Sequence, residues 1–119
     1  MNIDETVNIL SENKKVAEFY VFIREIKLFL DIGHDFFHPE IKIKIYQSPV
    51  INGYPYHFTV SHYVHTPIQA SPYHPSRSFA QTEEEAISQA ISTTATFLED
   101  AISQGFEPED DWLVLNKRF

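Results

Sequence analysis

Residues 82–105, TEEEAISQAISTTATFLEDAISQG, decide the fold, because they spell out one complete helix and leave the preceding chain to supply the sheet beneath it. Thr82 and Glu85 have the S/T-x-x-E spacing of a capping box, in which hydroxyl and carboxylate satisfy the first free amides. Glu83, Glu84 and Glu85 fill the first turn, where the positive end of the helix dipole favours carboxylates. Ala86, Ala90, Phe97 and Ala101, beside Ile87, Ile91, Leu98 and Ile102, recur at helical spacings and form one broad apolar stripe. Gly105 is the expected left-handed residue past the helix end, and Pro108 blocks a restart.

Strands are expected on both sides of this helix. Ile41, Ile43 and Ile45 alternate with Lys42, Lys44 and Tyr46, as in a strand with one buried and one solvated face. Asn52-Gly53 marks a hairpin, widened by Pro49 and Pro55. In residues 56–65, Tyr56, Phe58, Val60, His62 and Val64 share one face, and His57, Thr59, Ser61, Tyr63 and His65 the other. Residues 66–76, TPIQASPYHPS, hold three prolines and read as a long exposed loop. Short strands at 77–81 and 112–115 complete a β-β-β-α-β core over residues 34–119. The fold class predicted is α+β: a two-layer sandwich of an antiparallel meander and a long C-terminal helix, in one domain.

The N-terminal third reads as helical over residues 1–33. Residues 4–13 suggest a helical turn or tail. Residues 14–32 show no period-two alternation; Phe19, Ile23, Ile26 and Leu30 fall on one helical face, widened by Val16, Phe22 and Phe29, and Gly33 ends it. So wide an arc exceeds what one small sheet covers, which makes Phe19, Phe22, Ile26 and Phe29 candidates for a partner or dimer surface. Tyr73 and His74, on the proline-rich loop, join them as exposed candidates.

Charge and composition narrow the function. The formal net charge is −8; from Glu83 onward nine acidic residues oppose Lys117 and Arg118, a net of −7, while residues 1–82 carry eight acidic and seven basic residues, a net of −1. That acidic third repels a phosphate backbone and suits a basic protein partner. With no cysteine, disulfides and thiolate metal sites are excluded. The longest apolar run, residues 19–23, is far too short to span a bilayer, so a soluble cytoplasmic protein without membrane contact is expected.

Candidate chemistry is thin. His57 and His65 share a strand face but lie roughly 26 Å apart at about 3.3 Å per residue, with His62 opposite them, which does not converge on a metal. His34 and His38 have helical i, i+4 spacing, but they follow the Gly33 stop and precede Pro39, which argues against a helix there. Ser61 and His62, as strand neighbours, should point to opposite faces, and no glycine-rich phosphate loop is possible with three glycines. No catalytic residue, cofactor or metal is assigned. The element order also matches a double-stranded-RNA-binding domain, but three glutamates stand where that module needs basic residues.

Thr82-Glu83-Glu84-Glu85-Ala86, Gln89-Ala90, Leu98-Glu99, Gly105 and Pro108, preceded by Phe58-Thr59-Val60-Ser61 and Pro67, resemble the hairpin and strand-to-helix signature of HicB-type antitoxins over residues 41–115. The resemblance departs from the family at the 66–76 loop and at Gln89, where asparagine is common. No helix-turn-helix or ribbon-helix-helix segment follows the last strand, so it implies the non-catalytic core without the promoter-binding module. The chain is also similar, more distantly, to small cyanobacterial proteins, some described as related to heterocyst differentiation. These readings lead to a non-catalytic protein-binding or regulatory protein, a homodimer that binds no nucleic acid. The alternative is a small ligand- or metal-binding enzyme built on the histidines and the 66–76 loop.

Overall fold

Alternating isoleucines and a capped helix have become the two layers of the structure. The computed structural model describes residues 1–119, which form α1 (Ile3–Glu12), β1 (Val21–Phe29), β2 (Glu40–Gln47), β3 (Tyr56–Val60), β4 (His62–Val64), β5 (Phe79–Ala80), α2 (Glu83–Ser103), a 3-10 turn (Asp110–Trp112) and β6 (Leu113–Leu115). A four-stranded antiparallel sheet has the order β1-β2-β3-β5, and β4 pairs antiparallel with β6. The α+β sandwich expected from the sequence is present, with one more strand than expected at its N-terminal edge.

Ile41, Ile43 and Ile45 point inward and are fully buried with Phe58, Val60 and Val64. Opposite them lie Ala86, Ala90, Ala95, Leu98 and Ala101 of α2, and Trp112. Four alanines on that stripe let the helix approach the sheet closely, and Leu98 fills the remaining gap. Lys42 is exposed and Lys44 half-exposed on the outer face.

Both ends of α2 follow their local chemistry. Thr82 Oγ1 accepts from Glu85 N–H at 3.1 Å, while the Glu85 carboxylate accepts from Gln81 N–H rather than from Thr82, so the box closes one residue early. At the far end Gly105 has φ +92°, Phe106 N–H reaches Ala101 C=O, and Gly105 N–H reaches Ile102 C=O. This is a Schellman stop, satisfying carbonyls that the helix leaves free.

Residues 14–32 are corrected outright. Helix is confined to Ile3–Glu12, capped by the Asn2 side chain, and residues 21–29 are a strand. Phe22 pairs with Tyr46 and Arg24 with Ile45, so Ile23 is an extra residue on β1, a β-bulge. Apolar positions run 21 and 23 before the bulge and 26, 28 and 30 after it. This phase shift breaks the period-two pattern and leaves 19, 23, 26 and 30 at helical spacing. Consequently the supposed single face is split: Ile26 lies opposite Ile43 on the inner side, while Phe22 and Phe29 occupy the outer side, opposite Tyr46 and Glu40.

Since Ile43 sits at the centre of this core with no solvent exposure, Ile43→Ala is expected to lower the unfolding free energy by about 2–5 kcal/mol in urea titration. Ile9→Ala, on the exposed side of α1, should change it by no more than about 0.5 kcal/mol.

Candidate functional site

The outer face of the sheet, away from α2, gathers the features that core packing does not use. Cross-strand register aligns Phe22, Tyr46, His57 and Phe79 in one row over all four strands. Phe22 meets Tyr46 edge-on at 5.7 Å between centroids, and Tyr20 stands perpendicular to His57 at 5.5 Å. Tyr54 packs on Phe79 at 5.4 Å, and the Arg77 guanidinium lies 4.5 Å from the Tyr54 ring centre. Such edge and cation–π contacts each contribute about 0.5–1.5 kcal/mol beyond simple burial.

His57 is the buried member of this row. Although the alternation placed it on the solvated face, it is only 8% exposed, and its Nε2 has no hydrogen-bond partner. Burial lowers its pKa from the ordinary 6.5, an effect opposed by a backbone hydrogen bond with Tyr54. A neutral ring is the form that fits among aromatic neighbours.

Next to the row lies a patch of opposite sign to the chain as a whole. Lys27, Lys42, Lys44 and Arg77 against Glu25 and Glu40 give these outer-face groups a net of +2, four minus two, on a protein of net −8. Lys44 Nζ donates to the Phe119 carbonyl at 2.8 Å and lies 4.2 Å from its ring centre, so the last residues run across this face. Asn116 anchors them: its Nδ2 donates to Val60 C=O.

The Ser61–His62 pair departs from expectation. The chain bends between β3 and β4, bringing Ser61 Oγ within 2.8 Å of His62 Nδ1 instead of leaving the two on opposite faces. Ser61 Oγ also accepts Lys42 N–H at 2.8 Å, and Ser61 N–H reaches Lys42 C=O. The hydroxyl therefore replaces a strand carbonyl at the bend, and nucleophilic attack would forfeit that ladder bond. His62 lines a hollow with Glu40, Lys44 and Phe119; burial lowers its pKa and the Glu40 charge opposes the shift.

The proline-rich loop is tied down along its length. Gln69 Oε1 accepts from Thr66 N–H and Oγ1, Gln69 Nε2 donates to Val64 C=O, and Tyr73 N–H donates to the same carbonyl. Tyr73 packs on Phe97 and His74 on Tyr63, at 5.0 and 4.1 Å. Between this loop and α2 runs an open groove of about 610 Å³, lined by Tyr73, Arg77, Ser88, Ser92, Thr93 and Phe97 among others. Tyr73 thus belongs to the α2 side and His74 to a hollow with Tyr63, Thr59 and Asn116, both apart from Phe22 and Phe29, and Phe19 is half-buried ahead of β1.

No group of three or more His, Cys, Asp or Glu side chains converges in a metal-binding arrangement, and no helix is long and apolar enough to cross a membrane. No family model, curated protein or solved structure matches the chain. Of the outer-face site, sequence reading reached Phe22 and Phe29 through their surplus apolar character. It missed His57 and the aromatic row, whose only signal is a strand register that single residues do not encode.

Because His57 and His62 both have lowered values, the unfolded chain takes up protons that the folded one refuses as pH falls below about 6.5. Stability is therefore complete above that pH and is lost as pH drops toward the folded values. His57→Phe should flatten part of this loss in denaturant midpoints measured between pH 7.5 and 5.5; an unchanged slope would remove His57 as a contributor.

Proposed function

We propose that the chain is a non-catalytic, protein-binding regulatory protein with a HicB-like antitoxin core, acting through association at its N-terminal third and outer sheet face. The observation that carries this reading is surplus exposed surface. The accessible area is 7640 Å², against about 6,700 Å² for a folded monomer of this mass. The excess is close to the roughly 800 Å² that each partner buries in a standard interface. Likewise the radius of gyration, 16.5 Å, exceeds the about 13.5 Å usual for this length.

Six of the ten large exposed apolar residues fall in the first 36 positions, the others being Val50, Phe106, Val114 and Leu115. Met1, Ile9, Tyr20, Phe22, Phe29 and Phe36 are exposed, at values reaching 64% for Phe29 and 93% for Phe36, and α1 has no buried residue. Large exposed apolar groups on the first strand and the segments flanking it favour association. The acidic α2 and the segment after it form a second surface, suited to a basic protein partner and unsuited to nucleic acid. The element order from β2 to β6 supports the HicB resemblance, in which neutralising a toxin needs no catalysis.

Light scattering tests the reading. A mass near twice 13.9 kDa is expected at micromolar concentration, and Phe22→Ser with Phe29→Ser should weaken association by roughly tenfold or more. A monomeric mass persisting over a tenfold rise in concentration, for both proteins, would overturn the self-associating form of this reading.

The groove beside α2 favours a second reading, a small-ligand module, since its volume lies within the usual range of ligand pockets. Metabolite-induced shifts in melting temperature that vanish in Phe97→Ser, with Phe22 untouched, would favour it.

A further inference from the structure

The free edge of β1 carries a pattern that selects its own partner. β1 ends the sheet order, so one side of its backbone is bonded to no strand. Leu30 N–H donates to Pro39 C=O, and Leu30 is followed backward by Leu28 opposite Ile41 and Ile26 opposite Ile43. In an antiparallel ladder, backbone groups alternate in direction, so 26, 28 and 30 face β2 while Glu25, Lys27 and Phe29 offer their N–H and C=O groups outward. Edges of this length are ordinarily short, bulged or charged to prevent pairing. Here the bulge is at Ile23, near where the start of α1 meets the sheet, and the stretch beyond it is regular.

Of the three charges on that stretch, Arg24 lies on the helix side and pairs with Glu83, while Glu25 and Lys27 lie on the outer face, two residues apart. A second copy related by a two-fold axis perpendicular to the sheet meets this edge antiparallel. Pairing Lys27 with Lys27 of the second copy, or Glu25 with Glu25, would set like charges directly opposite, which is unfavourable. One register between them satisfies both charge and backbone direction. It pairs Glu25 with Lys27 of the second copy, Lys27 with its Glu25, and Ile26 with its Ile26.

We propose that two copies of this chain join β1 to β1 in that register, with Ile26 on the two-fold axis, making one continuous eight-stranded sheet. This rests on the self-associating reading above and adds to it a partner, a strand and a register. Glu25 and Lys27 of the two copies form two cross-strand ion pairs on the outer face, and Ile26 meets Ile26 on the helix side. The Glu25–Lys27 pairs are the hydrogen-bonded ones, and Ile26–Ile26 is a non-hydrogen-bonded pair with a Cα separation of about 4.5 Å.

Cysteine trapping reads the register directly, since the protein has no cysteine of its own. Ile26→Cys should form a covalent dimer under mild oxidation, because about 4.5 Å between Cα atoms lies within disulfide range. Lys27→Cys should not, being offset by two residues and so about 8 Å from its counterpart. Glu25→Lys should raise the dissociation constant about tenfold, and adding Lys27→Glu should restore it. Cross-linking of Lys27→Cys in place of Ile26→Cys, or no rescue by the charge swap, would overturn the register. A dimeric wild-type mass without an Ile26→Cys cross-link would sink the β1 pairing yet leave association standing, whereas a monomeric wild type would remove both.

Discussion

Burial of three alternate isoleucines on β2 is the constraint on which the remaining structure depends. Ile41, Ile43 and Ile45 lie on the strand that pairs on both sides, with β1 and β3, and they face the alanine stripe of α2. Fixing which face of β2 is inward fixes the neighbours too, since residues directly opposite in an antiparallel ladder share a face. Phe58 and Val60 go inward because they lie opposite Ile45 and Ile43, and Tyr46 pulls Phe22 and His57 into the outer row. The aromatic face is thus a by-product of the register that the core demands.

Where period and element agreed, the sequence was readable. β2 alternates without interruption, and α2 carries cap, dipole charges, stripe and stop in the expected places. Two departures share one cause, an irregularity that changes strand phase. At Ile23 a bulge inserts one residue, and the apolar positions on its two sides then fall at spacings a helix would also give. At Ser61 a bend ends β3 and starts β4, bringing the Ser61 hydroxyl to His62, and that hydroxyl fills the vacated place in the ladder. Neither serine nor isoleucine marks such a site by itself. The candidate surface shares this opacity: Phe22 and Phe29 stood out as excess hydrophobicity, but their grouping with Tyr46, His57 and Phe79 exists only across strands.

Charge is partitioned between the two layers. α2 opens on three glutamates and the segment after it is acidic, while the outer strand face bears Lys27, Lys42, Lys44 and Arg77. About 10 Å of sheet and helix separates them, comparable with the screening length in physiological salt. Each face therefore presents its own sign to a partner at contact distance, despite the strong overall negative charge.

The helix α1 has a different standing from everything else in the molecule. Its ten residues include none that is buried, its start is capped by Asn2 on Glu5 N–H, and it meets the sheet at β1. A helix of that length is marginal in water when it stands alone. Its backbone amides therefore exchange hydrogen with solvent through local opening, at a free-energy cost well below that of global unfolding. The β-sheet is expected to hold its protection while α1 opens and closes, which would give the molecule two levels of stability within one chain.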